Sequence, residues 1–340
     1  MVTGDKVLRT PPSVVAAIDF NHNGSELLAR RLIASAVDAG ASAVKFSLRR
    51  MSHTVASEIL DAPWLGAREL GNTHRDVWQR IELPTESLSE LREEARSRLD
   101  FIVAPHDETD FKNAERLSPD AYQLDPPALG NHDLLAALAQ TGKPVFLVAA
   151  MCNEKQIKDA LDILGSAQVV LLHAVSAASM EVSRTRLGLI PWLKTRFDRP
   201  VGYCGWESGI ICALVAASLG AEVIEKPLTL DRGLPGPFHA TSLSPDELRT
   251  MVLTLRDLHE ACQVQSRREI FPEEIDLLET LSTSIVARRR LRRGMVVKRS
   301  DLMLQSPLRG MSPKLLDWVD GKRLLYDVEA GDPLTFGLIE

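Results

Sequence analysis

Between residues 14 and 226 the chain repeats one pattern eight times: a short, nearly unbroken apolar run, then a longer stretch with helical spacing. The runs are Val14–Phe20, Ala43–Ser47, Phe101–Pro105, Tyr122–Asp125, Val145–Ala150, Val169–Ala174, Val201–Cys204 and Val223–Lys226. A strand that is apolar on both faces belongs in a parallel sheet covered on both sides. Eight such strands alternating with helices predict an α/β fold, a (β/α)8 TIM barrel, with a doubly wound open sheet as the alternative. No Gly-x-Gly-x-x-Gly follows a strand, so the dinucleotide fingerprint of the open-sheet folds is missing. Helical spacing covers Ser25–Ala39, with Ser25 as N-cap and Gly40 just past the end, and then Asp133–Gln140, Glu154–Leu164, Ser208–Leu219, Pro245–Ala261 and Pro272–Leu278. The stretch from Arg49 to Asp100 is an insertion between the second and third strands, carrying a helix over Ser87–Leu99.

The alternation stops near residue 255, which places the barrel over 1–260 and a linker helix over 261–283. The tail, 284–340, is broken by Gly294, Pro307, Gly310, Pro313, Gly321 and Gly331 and reads as a compact, loop-rich β unit. A unit of that size scarcely buries enough surface alone, so it is expected to pack against another surface.

A formal net charge of −6 over 340 residues gives no reason to expect nucleic acid as a partner, and the basic run Arg288–Arg293 reads as a solvated, salt-bridging face. Cys152, Cys204, Cys212 and Cys262 form no Cys-x-x-Cys pair, which argues against disulfides and structural zinc. No apolar run reaches the roughly 18–20 residues of a membrane span, and Met1–Lys6 lacks a signal-peptide core. The expectation is a cytoplasmic protein with a small-molecule substrate and no membrane partner.

In a barrel of this kind the chemistry sits at the C-terminal ends of the strands. Those ends carry Asp19, Asn21 and His22; Lys45, Ser47 and Arg49; His106 and Asp107; Gln123 and Asp125; Asn153; His173 and Ser176; Tyr203, Cys204 and Glu207; and Glu225 with Lys226. Charged groups crowded into one mouth perturb each other's pKa values, which suits acid–base work. We assign Lys45, Glu225 and His22 to catalysis. The binding set is Asp19, Asn21, Ser47, Arg49, His106, Gln123, Asp125, Ser176, Tyr203, Cys204, Glu207 and Lys226. Lys45 is expected to face Glu225, either as a buried ion pair or as a group that holds an anion or forms an imine. Lys226 alternates with Glu225 and is expected to point the other way. Each group also has a structural reading: Asn21–Asn23 as a turn, His106–Asp107 as a helix cap, Cys204 as an inert buried thiol, His173 as scaffold and His239 as loop structure. His106, Asp125 and Glu207 form an alternative metal site that spacing cannot check.

The order of motifs resembles the sialic acid synthase family. Asn21-His-Asn-Gly24, Gly40-Ala-Ser-Ala-Val-Lys-Phe46, Leu171-Leu-His173, Gly202-Tyr203, Gly220-Ala-Glu-Val-Ile-Glu-Lys226, Thr229-Leu-Asp-Arg232 and Pro235-Gly-Pro237 carry the resemblance in the barrel. In the tail, Leu291-Arg-Arg-Gly294, Ser300-Asp-Leu302, Pro307, Gly310-Met-Ser-Pro313 and Gly321-Lys322 resemble that family's antifreeze-like (SAF) domain. The resemblance implies condensation of phosphoenolpyruvate with an N-acetylated amino sugar, a divalent metal (usually manganese), and a dimer in which each tail caps the partner's barrel.

The departures fall where that chemistry belongs. The two metal-binding His positions hold Trp206 and Pro227, the acid after Pro-Gly-Pro is Phe238, and the catalytic Glu of the first strand is Ala17. The phosphate-binding set is replaced by Ala104, Gln123, Pro126, Ala128 and Val148-Ala-Ala-Met151, and the tail's sugar-contacting Arg is Ser306, with Arg309 three positions on as a possible substitute. Only Lys45 stands where the resemblance places a phosphate contact. Trp and Pro offer manganese no lone pair, so no metal ligand and no cofactor is assigned, and the manganese site is expected to be lost. Two functions follow: a repurposed enzyme of the family, with carbon–carbon bond chemistry of transferase or lyase type on an acidic or sugar-like molecule, or a non-catalytic homologue that serves as partner subunit or binding scaffold. A domain-swapped homodimer is expected in either case.

Overall fold

The computed structural model describes residues 10–176, 181–262 and 269–340. Eight parallel strands close into a barrel in chain order: β1 Ser13–Ala17, β2 Ala43–Leu48, β3 Asp100–Pro105, β4 Ala121–Leu124, β5 Val145–Ala149, β6 Val169–His173, β7 Val201–Cys204 and β8 Val223–Pro227. The pairing of β1 with β8, Val14 opposite Ile224 and Ala17 opposite Pro227, closes the sheet and rules out the open alternative. Expected and observed strands coincide to within a few residues. The largest difference is at the first, which ends at Ala17 because Asp19 turns into the left-handed region (φ 44°).

The helices form where apolar spacing meets a capping residue. Ser25 accepts a hydrogen bond from the Leu28 N–H, and Gly40 ends Glu26–Ala39 at φ 80°, as αL C-caps do. Leu32, Ile33 and Ala36 of that helix are fully buried against the sheet. Ser244 opens Pro245–Ala261 with a reciprocal capping box to Glu247. The helix after β7 starts at Ile211 rather than Ser208, since Ser208–Ile210 are spent in the turn leaving the strand. The insertion is more helical than expected, with His74–Ile81 as well as Thr85–Ala95.

The barrel interior is layered. Its lower part is an apolar plug that includes Val15, Ala43, Ile102, Ala121, Leu172 and Val223. Gly202 is required in that wall, because a Cβ there would meet the Val223 carbonyl oxygen at 2.7 Å. Polar side chains begin above the plug, which confines them to the C-terminal end of the strands.

The chain divides into two compact units, Met1–Val264 and Gln265–Glu340. The expected linker helix over 261–283 is described only from 269 on, where Pro272–Leu281 is helical; 263–268 and the N-terminal Met1–Lys6 lie outside the described residues. In the second unit β9 Ser284–Ala287 pairs antiparallel with β10 Leu302–Gln305 over its own core of Ile285, Leu291, Val297, Val319, Leu324 and Leu334. Among the described residues no helix is long and apolar enough to cross a membrane.

Candidate active site

Strand parity brings Lys45 of β2 and Glu225 of β8 into the barrel at one level. Lys45 Nζ lies 3.0 Å from Asp19 Oδ2 and 3.2 Å from Glu225 Oε1, with every one of these side chains buried. Asp19 reaches the lysine because its backbone, in the αL conformation that Asp tolerates better than most residues, folds over β2: the Ile18 and Asp19 N–H groups both donate to the Lys45 carbonyl oxygen. Ser47 Oγ donates to Asp19 Oδ1 at 2.8 Å. Across the barrel, Gln123 Nε2 donates to Asp125 Oδ1 at 2.9 Å and more weakly to Glu225 Oε1 at 3.4 Å. His106 Nε2 stands 3.4 Å from Asp125 Oδ2, and Cys204 Sγ is 3.4 Å from Glu225 Oε1.

Two carboxylates thus pair with one ammonium, and a third, Asp125, acts on it from beyond ion-pair distance. Burial alone would lower the Lys45 pKa, but Asp125, Asp19 and Glu225 together carry it well above the usual lysine range, so the amine stays protonated. Of the two functional readings of Lys45, a fixed cation fits this environment and an imine-forming amine does not. Burial pushes the Glu225 and Asp19 carboxyls up, against the pull of Lys45. Burial also acts upward on Asp125, but Lys45 and His106 outweigh it and hold that carboxyl well below the usual range. The Cys204 thiol is pushed well up by burial and by Glu225, which fits the inert reading better than a nucleophile.

Other assigned residues lie elsewhere. His22 stacks near Phe46, which alternates with Lys45 and therefore faces away from the barrel interior. Its Nδ1 accepts the Gly24 N–H at 3.0 Å, and burial lowers its pKa to about 3. It is a neutral turn residue rather than a catalytic group at the mouth. Asn21 pins the chain, its Nδ2 donating to the Leu228 carbonyl and to Ser242 Oγ. Lys226 points to the outer face of the sheet, as its alternation with Glu225 predicts, but is fully buried there. Its Nζ donates to Glu207 Oε1 at 2.8 Å and to the Glu207 carbonyl oxygen at 2.5 Å, and the Tyr203 hydroxyl donates to Glu207 Oε2 at 2.7 Å. Tyr203, Glu207 and Lys226 are therefore a closed group behind the mouth and not binding residues in it, and the alternative metal site of His106, Asp125 and Glu207 does not assemble. His173 Nε2 meets the Thr185 carbonyl oxygen at 2.8 Å and His239 Nδ1 meets Thr229 Oγ1 at 2.7 Å, both as scaffold. Asp107 caps Glu108–Leu117. Arg309 is exposed in the second unit.

Above the charged floor opens a cavity of about 550 Å³. Asp19, Lys45, Ser47, Arg49, His106, Asp125, Ser176 and Cys204 form its polar side. Aromatic rings line the cavity as well. Trp206 packs against Phe238 (centroids 5.4 Å apart), Phe238 stacks toward Phe20 (6.4 Å), and Trp78 meets Phe20 edge-on (5.1 Å). Trp78 comes from the His74–Ile81 helix of the insertion. Sequence reasoning missed it and Phe20; a Trp on an amphipathic inserted helix was the available signal, but its long-range contact was not.

The chain matches the NeuB family over residues 32–267 and the SAF domain over 282–340. The chain is 28% identical to the N,N'-diacetyllegionaminic acid synthase of Legionella pneumophila over 96% of its own length and 94% of that protein. It is 26% identical to the human N-acetylneuraminate-9-phosphate synthase over 97% and 93%. Among solved structures, the N-acetylneuraminic acid synthetase of Leptospira borgpetersenii in complex with citrate superposes with a TM-score of 0.69 at 25% identity, covering 79% of this chain and 91% of that one. Sequence, barrel and tail agree: the chain belongs to the NeuB family, that of the sialic acid synthases, with a SAF domain at its C-terminal end.

Proposed function

We propose that this chain is a repurposed member of its family, a metal-independent enzyme of carbon–carbon bond chemistry that acts on an acidic small molecule. The observation that carries the reading is the buried Lys45 ammonium held by Asp19 and Glu225 at the floor of the cavity. The manganese that the family implies does not fit the residues present. Trp206 and Pro227 stand at the two His positions and have no lone pair to give. Among the described residues no three His, Cys, Asp or Glu side chains converge as a metal site. Phosphoenolpyruvate fits no better, since the one remaining phosphate contact, Lys45, is already surrounded by carboxylates. A phosphate brought beside them adds repulsion in a water-poor site.

The reaction this arrangement supports is proton transfer next to a carbonyl. Asp19, the carboxylate that lines the cavity beside Lys45, takes a proton from the carbon adjacent to the carbonyl. Negative charge then develops on the carbonyl oxygen, and the fixed Lys45 ammonium stabilises it. Glu225 holds that ammonium in place from below. The resulting enolate adds to the carbonyl carbon of a second molecule, whose C=O π bond opens to an alkoxide that takes the proton back from Asp19; in the reverse direction that bond cleaves and releases the enolate. We likewise propose a homodimer, on the strength of the small tail and the family resemblance.

Chelator-treated protein in D2O tests the reading, with exchange at the carbon next to the carbonyl of pyruvate and phenylpyruvate followed by NMR. Exchange above background is expected, and Asp19→Asn and Lys45→Met are each expected to abolish it. Equal exchange in the variants contradicts the mechanism. No exchange in a protein that still binds a ligand in the mouth favours the non-catalytic homologue.

A further inference from the structure

The polar groups of the cavity are largely occupied with each other. Asp19 is taken by Lys45 and Ser47, and Asp125 by Gln123 and His106. Arg49 is different. Its Nε donates to Thr54 Oγ1 at 3.3 Å, and among the described residues its guanidinium makes no ion pair. It is half-buried and it lines the cavity. Asp125 and Asp110 act on it from beyond ion-pair distance; a half-desolvated guanidinium whose N–H groups are not bonded to a carboxylate is an anion site, best matched by a planar carboxylate that accepts two N–H bonds at once.

Ligand shape follows from the rest of the wall. A polyhydroxylated sugar acid needs a hydrogen-bond partner for most of its hydroxyls, and a hydroxyl buried without one costs about 1–3 kcal/mol. Among the described residues, Ser176 and Thr241 are the lining hydroxyls outside the internal network. Four rings, Phe20, Trp78, Trp206 and Phe238, offer a continuous apolar face instead. Stacked and edge-on rings of this kind favour another flat apolar group. The carboxylates of Asp19, Asp125 and Glu225 also repel a dianionic head such as phosphate more strongly than a singly charged carboxylate.

We propose that the mouth takes a monocarboxylic acid with a flat, aromatic body: the carboxylate on Arg49, the ring against Trp206 and Phe238. This rests on the reading of the mouth as the functional site and narrows its ligand from acidic small molecules in general to arylalkanoic and aryl 2-oxo acids. The specificity-determining residues are Arg49 for charge and Trp206 for shape.

Two of the four wall rings are tryptophans, so their fluorescence reports occupancy without turnover. The probes are 3-phenylpropanoate, 3-phenylpropanol and N-acetylneuraminate, titrated into the full-length protein, with calorimetry as a second readout. Saturable binding of 3-phenylpropanoate is expected, with the alcohol at least tenfold weaker, a difference of about 1.4 kcal/mol. Arg49→Gln should erase the preference for the acid over the alcohol, and Arg49→Lys should restore part of it. Trp206→Ala should weaken acid and alcohol alike, and unchanged unfolding midpoints identify these as binding effects. The proposal is overturned if N-acetylneuraminate binds more tightly than 3-phenylpropanoate, if Arg49→Gln leaves the preference intact, or if no probe binds saturably at ~5 mM. Those results leave the metal-free reading standing, because they concern the ligand alone. Manganese-dependent condensation of phosphoenolpyruvate overturns the metal-free reading whatever the probes do.

Discussion

Two buried lysines, Lys45 and Lys226, stand on strands that both flank β1, and they have opposite surroundings. Lys226 has one carboxylate, Glu207, whose second oxygen takes the Tyr203 hydroxyl, and its ammonium also donates to a backbone carbonyl. Charges cancel and the Glu207 carboxylate is satisfied on both oxygens. Lys45 is paired with Asp19 and Glu225 and also feels Asp125, and among the described residues Glu225 Oε2 is buried without a hydrogen-bond partner. The first group is closed and faces the helices. The second is unbalanced and lies under a cavity. A balanced buried pair holds structure, whereas an excess of carboxylate in which Glu225 and Asp19 are raised and Asp125 is lowered is an environment set up for proton transfer. The balanced group serves the other indirectly, since the Lys226 bond to the Glu207 carbonyl fixes the backbone next to Trp206.

The largest effect expected from this contrast is on stability. Glu207→Gln leaves Lys226 buried without a counter-charge, at a cost of about 3–5 kcal/mol, read from urea unfolding at neutral pH. A loss under about 1 kcal/mol would erase the distinction between the two groups. Next comes Tyr203→Phe, which takes one hydrogen bond from a charged acceptor and should cost about 1.5–3 kcal/mol by the same measurement.

The smallest change in stability is expected in the crowded group, and it carries a sign. Glu225→Gln removes one of three like charges, so it should be close to neutral or slightly stabilising at neutral pH. Burial raises the native Glu225 pKa above its ordinary value of 4.5, so the native state holds that proton more tightly than the unfolded chain does. Wild-type stability from this residue is therefore lost as pH rises from below the unfolded value through the native one. Glu225→Gln lacks that loss, and its advantage over wild type should grow as pH rises from the ordinary value of 4.5 through the raised native one. An advantage that shrinks over the same range would mean that the carboxylate is a stabilising partner of Lys45 and not a strained excess. Asp125, held low, has the opposite sign: its contribution disappears as pH falls.

The facing of Lys45 and Glu225 was legible in the sequence, because strand parity and register are local rules and both residues lie inside short apolar strands. The same rule sends Lys226 to the other face. It fails just past the strand ends. Asp19 lies in a left-handed turn that spacing does not announce, and that turn sends His22 away from the mouth. Glu207, three residues past the end of β7, likewise turns toward Lys226. Trp78 reaches the cavity from an insertion helix, a contact between distant parts of the chain that no periodicity encodes. The strands were readable because burial on both faces demands continuous apolar runs. The aromatic wall was not, because it is assembled from loop ends and an inserted helix.

The central claim is that the mouth works without the family's metal. Its most direct test is a manganese titration of chelator-treated, full-length protein, followed by melting temperature and by product formation from phosphoenolpyruvate and N-acetylmannosamine. A metal at 100 times its Kd would stabilise the native state by about 2.7 kcal/mol. No manganese-dependent rise in melting temperature and no nine-carbon acid are expected. A saturable rise accompanied by manganese-dependent product would contradict that claim.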